Sequence, residues 1–209
     1  MKYVIGRKVG MTQIFTEKGD LIPVSVIAVE PSVVVQKKTT ENEGYEAIQV
    51  GFGEAKKHKM TKALVGHFDK ASVDYKKHLK EIRVDKADDY NIGDEILAEV
   101  FEAGDYVDVT GTSKGKGTQG IVKRHGFSRG RMSHGSKMHR TAGGMGASAY
   151  PGRVFKNHRM SGKMGNEKVT VQNLEVVRVD ADNSFILLKG AVPGPKKGIL
   201  YIKETVKRK

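Results

Sequence analysis

The sequence predicts a mainly β fold: a small barrel carrying a small α+β insertion and one long, extended basic loop. Three observations predict it. Short β-branched runs with turn signals recur from residue 21 to 53 and again from 95 to 111 and 168 to 206. Between the last two groups lie fifty-five residues with no acid and almost no apolar period. Strands on the two sides of that gap share one style, so the gap reads as an excursion from a single β domain. Many short strands separated by turns favour a barrel over an open sheet.

The elements follow in chain order. TEKGDL (16–21) supplies a turn between a first strand and a second. LIPVSVIAVE (21–30) and SVVVQKKT (32–39) are β-branched runs separated by Pro31, and YEAIQVGF (45–52) alternates with Ile48, Val50 and Phe52 on one face. The character changes near residue 54. MTKALVGHFDKA (60–71) puts Met60, Ala63, Leu64, His67, Phe68 and Ala71 on one helical face, with Gly66 as its weak point. KKHLKEIRVD (76–85) then alternates around Leu79, Ile82 and Val84. Strand patterns return at EILAEVF (95–101) and YVDVTG (106–111). KVTVQNLEVVRVDADNSFILLKG (168–190) reads as two strands joined by a turn at 181–184, and GILYIKETV (198–206) as a closing strand. The expected organisation is therefore a barrel core over 1–53, 96–111 and 167–209, an α+β insertion over 54–95, and an arm over 112–166.

Composition narrows the function. The chain has no cysteine, which excludes a disulfide scaffold and thiolate metal sites. Its opening, MKYVIGRKVGMTQIF, is interrupted by Arg7, Lys8 and Gln13, so it is not expected to be a signal peptide; no apolar run reaches membrane-spanning length. A cytoplasmic location is expected, with no membrane partner. The net charge of +13 points to a polyanion, and its distribution says more than its size. Residues 1–108 carry a net −3, residues 112–166 a net +12 from twelve Lys and Arg, and residues 167–209 a net +4.

The arm cannot fold on its own. Only five of its residues are Leu, Ile, Val or Phe, about 9%, against the roughly 20% below which a segment is expected to be disordered. Ordering fifty-five residues costs several tens of kcal/mol, at about 1–2 kcal/mol each. Five buried side chains return roughly 1.5–3 kcal/mol apiece, which does not offset it. Alone the segment is expected to be disordered; if it orders, an external anion orders it. Its cations alternate with glycines, which let a backbone approach phosphates. Arg and His stack on bases and bridge phosphates. The expected RNA-binding residues are Lys114, Lys116, Lys123, Arg124, His125, Arg129, Arg131, His134, Lys137, His139, Arg140, Tyr150, Arg153, Lys156, His158, Arg159 and Lys163. No helical face collects them, so a DNA-groove reader fits less well than an arm threaded between RNA helices. Five of the eight methionines also fall here, as adaptable gap fillers.

Other chemistries fit less well. GTSKGKGTQG (111–120) contains G-x-G-x-x-G after a strand, but IVKRHGFSRG behind it is no convincing amphipathic helix, and no acid appears before Glu167. The P-loop pattern fails because Gly117 follows Lys116. Four of the seven histidines (125, 134, 139 and 158) lie in the arm without Cys or carboxylate neighbours, so no metal site is expected. His67 reads as a packing residue of the insertion helix. Asp88, Asp89, Asp94 and Glu95 read as solvated turn acids. No enzyme, cofactor or small-molecule substrate is expected.

Specific motifs carry a family resemblance. IGRKVGMTQIF (5–15) closely resembles the opening of the bacterial form of the third protein of the large ribosomal subunit. FEAGDYVDVTGTSKGKGTQGIVKR (101–124) is similar to that family's central signature, with Phe101, Asp108, Gly111, Ser113, Gly115, Lys116, Gly117, Gly120 and Arg124 at the family's steps. KRHGFSRG, SHGS, GRVFKNHRMSGKMGNEKVTVQNLEVVRVD and KGAVPGPKKG extend the likeness across the chain. The resemblance implies a translation-protein type β-barrel and a structural, non-catalytic role. It implies direct binding to 23S rRNA near the rRNA 3′ end, help in starting 50S assembly, and large-subunit neighbours numbered fourteen and nineteen. It also implies an arm running towards the peptidyl transferase centre, with 143–153 at its tip. Some bacterial members carry a methylated glutamine where this chain has Ala147, so no modification is expected there. A non-specific RNA-binding chaperone is the alternative function.

Overall fold

The computed structural model describes residues 2–16 and 18–207. Its strands and helices, in chain order, are β1 (Tyr3–Phe15), β2 (Leu21–Ala28), β3 (Ser32–Lys38), α1 (Thr40–Glu43), β4 (Ala47–Glu54), α2 (Lys62–Ala71), β5 (Lys76–Arg83), β6 (Glu95–Ile96), β7 (Tyr106–Thr112), β8 (Thr118–Gln119), α3 (Ile121–His125), β9 (Gly162–Lys163), β10 (Lys168–Asp180), β11 (Phe185–Lys189) and β12 (Ile199–Glu204). The chain divides into two compact units, 1–112 with 168–209, and 113–167.

The larger unit holds a closed antiparallel barrel in the order β1-β12-β7-β10-β11-β2. Period-two alternation builds its core. Val107 and Val109 on β7, Ile186 and Leu188 on β11, and Leu200 and Ile202 on β12 point inward and are buried. The alternate residues of β12, Ile199 and Tyr201, face outward, yet they are not left to water. With Tyr3 they pack on a second cluster of Ile5, Val34, Ile48, Val50, Phe52 and Ile82. That cluster belongs to a four-stranded sheet, β5-β4-β3-β6, laid on the outside of β1 and β12. The first strand therefore buries neighbouring residues on opposite faces: Val4 serves the barrel and Ile5 the second cluster.

Four sequence expectations change. Residues 32–53 are expected in the barrel, but β3 and β4 pair with β5 and β6 instead. Pro31 sits at the crossing between the two sheets, after the last barrel pairs at Ala28 and just before β3. EILAEVF is expected to be a strand, yet only Glu95 and Ile96 pair. A 3-10 turn at Ala98–Val100 follows, and the three-residue spacing of Ala98 and Phe101 turns both into the barrel core. The insertion helix starts at Lys62 rather than 60, and of its expected apolar face only Phe68 is buried; Leu64 is 40% exposed. His67 packs edge-on to Phe68 and hydrogen-bonds Gln49 Oε1 at 2.6 Å. The fourth concerns IVKRHGFSRG, whose first five residues form α3, closed by Gly126 in the left-handed conformation.

The excursion leaves and re-enters on neighbouring strands. β7 and β10 pair directly, with Thr112 opposite Lys168 and Gly111 opposite Val169. The fifty-five residues between them are thus an enlarged hairpin connection.

Candidate nucleic-acid interface

Residues 113–167 begin and end in a short two-stranded stem. β8 and β9 pair Thr118 with Lys163 and Gln119 with Gly162. Ser113 N donates to Glu167 O at 2.9 Å, Lys116 N to Met164 O at 2.9 Å and Met164 N to Gly117 O at 3.0 Å. Gln119 Nε2 closes the turn on Lys116 O. Gly165 has φ +73, and a Cβ there would run into the carbonyl of Lys114, so the stem requires glycine at this position. Beyond the stem, regular structure stops after α3; between 126 and 161 there is neither helix nor strand among the described residues.

Local hydrogen bonds hold the rest. Arg124 Nη1 and His125 Nε2 both donate to Met160 O, at 2.9 and 3.1 Å, tying the outgoing chain to the returning one. Gly130 N donates to His139 O at 2.9 Å, and His139 Nδ1 donates to Arg131 O at 2.9 Å. These two bonds close a loop that carries Arg129, Arg131, His134, Lys137 and Arg140. The Arg153 guanidinium stands 5.7 Å from the centre of the Phe155 ring. Tyr150 is 89% exposed.

The structure sorts the expected RNA-binding residues. Lys114, Lys116, Arg124, His125 and Lys163 come together around one open groove at the stem. Lys123, His139, Tyr150, Arg153, Lys156, His158 and Arg159 stand outside it, as do Arg129, Arg131, His134, Lys137 and Arg140. Ser113, Met164 and Gly165 also line the groove, and sequence reasoning did not single them out for binding. Ser113 entered only as a step of the family signature, and Met164 and Gly165 only as part of the Lys163-Met164-Gly165 step, which looks like the rest of the arm. Glu167 is the one acid of the unit and sits at the groove's foot.

Two features decide what this unit can do. Ile121 is its only buried residue among the described residues, while Met132, Met138, Tyr150, Val154 and Phe155 are exposed. No ion pair of the described residues involves its Lys or Arg side chains. Twelve permanent cations therefore have their charge available to an external anion, and the apolar side chains lie open beside them. Phosphates flanked by stackable bases offer both complements. Among the described residues no group of three or more His, Asp or Glu could hold a metal ion. Nor, among the described residues, is any helix long and apolar enough to cross a membrane.

Comparison with known proteins gives a consistent answer. The family model for ribosomal protein L3 matches residues 32–184. The large ribosomal subunit protein uL3 of Alkaliphilus metalliredigens is 58% identical over 208 residues, covering 100% of this chain and 99% of that one. The uL3 proteins of Finegoldia magna and Heliobacterium modesticaldum are 53% and 54% identical; the matches cover 100% of this chain and 100% and 99% of theirs.

Proposed function

The chain belongs to the ribosomal protein L3 family, and we propose that it is a structural constituent of the large ribosomal subunit in the bacterial cytoplasm, without catalytic activity. The barrel unit anchors it, and the arm over 112–166 binds 23S rRNA near the rRNA 3′ end. The arm extends towards the peptidyl transferase centre with 143–153 foremost, and the barrel unit neighbours the large-subunit proteins numbered fourteen and nineteen. The proposed contacts are the seventeen arm residues from Lys114 to Lys163 named above, with the groove of Lys114, Lys116, Arg124, His125 and Lys163 at the base.

One observation carries this reading: a unit with twelve uncompensated cations, one acid and one buried side chain. Such a segment gains its ordering free energy only when RNA phosphates surround it. Binding and assembly are then one event, which is how a protein of this kind helps start 50S assembly. Ala147 lacks the side-chain amide that is methylated in some relatives, so this tip carries no such modification.

Crosslinking the full chain to total bacterial RNA and sequencing the attached RNA tests the reading. Enrichment of one region near the 3′ end of 23S rRNA is expected. Uniform recovery across unrelated RNAs would indicate a non-specific chaperone instead.

A further inference from the structure

The acidic balance of residues 1–108 conceals a local excess of the opposite sign. Residues 54–80 carry eight lysines and three acids, a net +5, while residues 81–108 carry a net −8. In the fold, Lys56, Lys59, Lys76 and Lys77 line one groove between the end of β4, the start of α2 and the start of β5, over a floor that includes Met60 and Leu64. The register explains the gathering: Glu54 lies opposite Lys76, and Ala55 N donates to Tyr75 O at 3.0 Å, so two lysine-rich stretches are held side by side.

We infer that this groove is a second polyanion site, separate from the arm, which takes the phosphate backbone of an RNA helix.

Geometry supports a built surface rather than a loose fringe. The stem of Lys76 lies in the notch left by Gly51, where a Cβ would come within 2.8 Å of Lys76 Cγ; this half-buried stem is held by packing. The Lys57 ammonium stands 5.6 Å from the centre of the Tyr75 ring. Tyr75 in turn donates its hydroxyl to Asp69 at 2.7 Å. Lys56, Lys59, Lys76 and Lys77 have no ion pair among the described residues. Burial first, and then the charges of Lys77 and Arg7, hold the nearby His78 ring below the ordinary histidine value. Among the described residues Glu54 is the one carboxylate lining the groove.

The residue type selects the ligand. Among the described residues the lining contains lysine and no arginine, so it offers point charges without forks or stacking planes. That chemistry grips phosphates and leaves bases unread. RNA as the polyanion is taken from the proposed function; the place of the site is not.

Two full-length variants separate the claims. One carries Lys56→Gln, Lys59→Gln, Lys76→Gln and Lys77→Gln; the other carries Arg129→Gln, Arg131→Gln, Lys137→Gln and Arg140→Gln. Each is titrated with 23S rRNA between 50 and 200 mM salt, after matching thermal melts. Four lost phosphate contacts make the slope of log affinity against log salt shallower by about 3, and this is expected for both variants. A groove variant with the wild-type slope overturns this inference even where the arm variant loses slope. An arm variant with the wild-type slope beside a shallower groove variant overturns the arm reading alone. A groove triple variant that keeps the half-buried Lys76 guards against misfolding and is expected to lose about 2 units. The chain has no cysteine, so a photo-crosslinker on Lys77→Cys reports the neighbour in assembled subunits. An RNA adduct is expected, and an adduct to protein alone overturns the inference.

Discussion

Replacing Gly165 by alanine is expected to open the stem of the arm and leave the barrel untouched. Gly165 has φ +73, and for a residue with a Cβ that conformation costs about 1–2 kcal/mol. The new Cβ also strikes the Lys114 carbonyl, with that group's carbon 3.1 Å and Gly115 Cα 3.2 Å away. These are backbone atoms and cannot rotate aside, so the strands must part. The bonds at risk are Lys116 N to Met164 O and Met164 N to Gly117 O, each worth about 0.5–1.5 kcal/mol net. Strain and lost bonds together give about 2–5 kcal/mol on local opening. Hydrogen exchange of the Lys116 and Met164 amides should then speed up by about 30-fold to a few thousand-fold, or lose all protection where the native stem holds less. Amides of Val109 and Ile202, in the paired β7 and β12, should be unchanged. Gly120→Ala is the control, because its φ is −71 and nothing lies within 4 Å of the added carbon. Unaltered stem exchange in Gly165→Ala, or an equal loss in the control, would refute the reasoning.

Leu188→Ala removes a fully buried side chain from the barrel core. It should cost about 2–5 kcal/mol in denaturant unfolding, and a loss below about 1 kcal/mol would contradict a packed barrel interior. Asp105 accepts from Lys2 Nζ at 2.9 Å and from the Glu102 amide at 3.0 Å. The Lys2 hydrogen bond first, and that amide second, hold its carboxyl below the usual value. A depressed folded value contributes stability above about pH 4 that is lost as pH falls through it. The pair is partly exposed, so Asp105→Asn should cost less than about 1 kcal/mol near neutrality, and the difference should vanish towards pH 3. A gap that widens on acidification would contradict this sign. Limited proteolysis of the free protein should cut within about 126–165, the stretch with the fewest buried side chains; full protection there would refute an arm that depends on RNA for its order.

Strand positions were legible because alternation and β-branching mark a half-buried pleated surface. What the pattern did not carry was partnership. Val33, Val34, Ile48 and Val50 look the same whether they line a barrel or a second sheet, and only Pro31 marks where the chain changes sheets. The strand expected over 95–101 failed for a related reason: Ala98 and Phe101 are equally apolar at two-residue or three-residue spacing. The arm was legible as a unit because charge and missing acids are properties of sequence alone. Its internal arrangement was not, because the bonds of Arg124 and His125 to Met160 O join residues 36 and 35 positions apart. The lysine groove was hidden by averaging charge over 108 residues, in which a basic stretch (54–80) and an acidic one (81–108) meet at residue 80.

The central claim is that the arm's cations meet RNA phosphates, and the salt dependence of binding tests it most directly. Full-length protein is titrated against a fragment from the 3′ region of 23S rRNA. With roughly 6–10 phosphate contacts, affinity is predicted to fall about 10³–10⁵-fold between 50 and 200 mM salt. An affinity that stays flat across that range would contradict it.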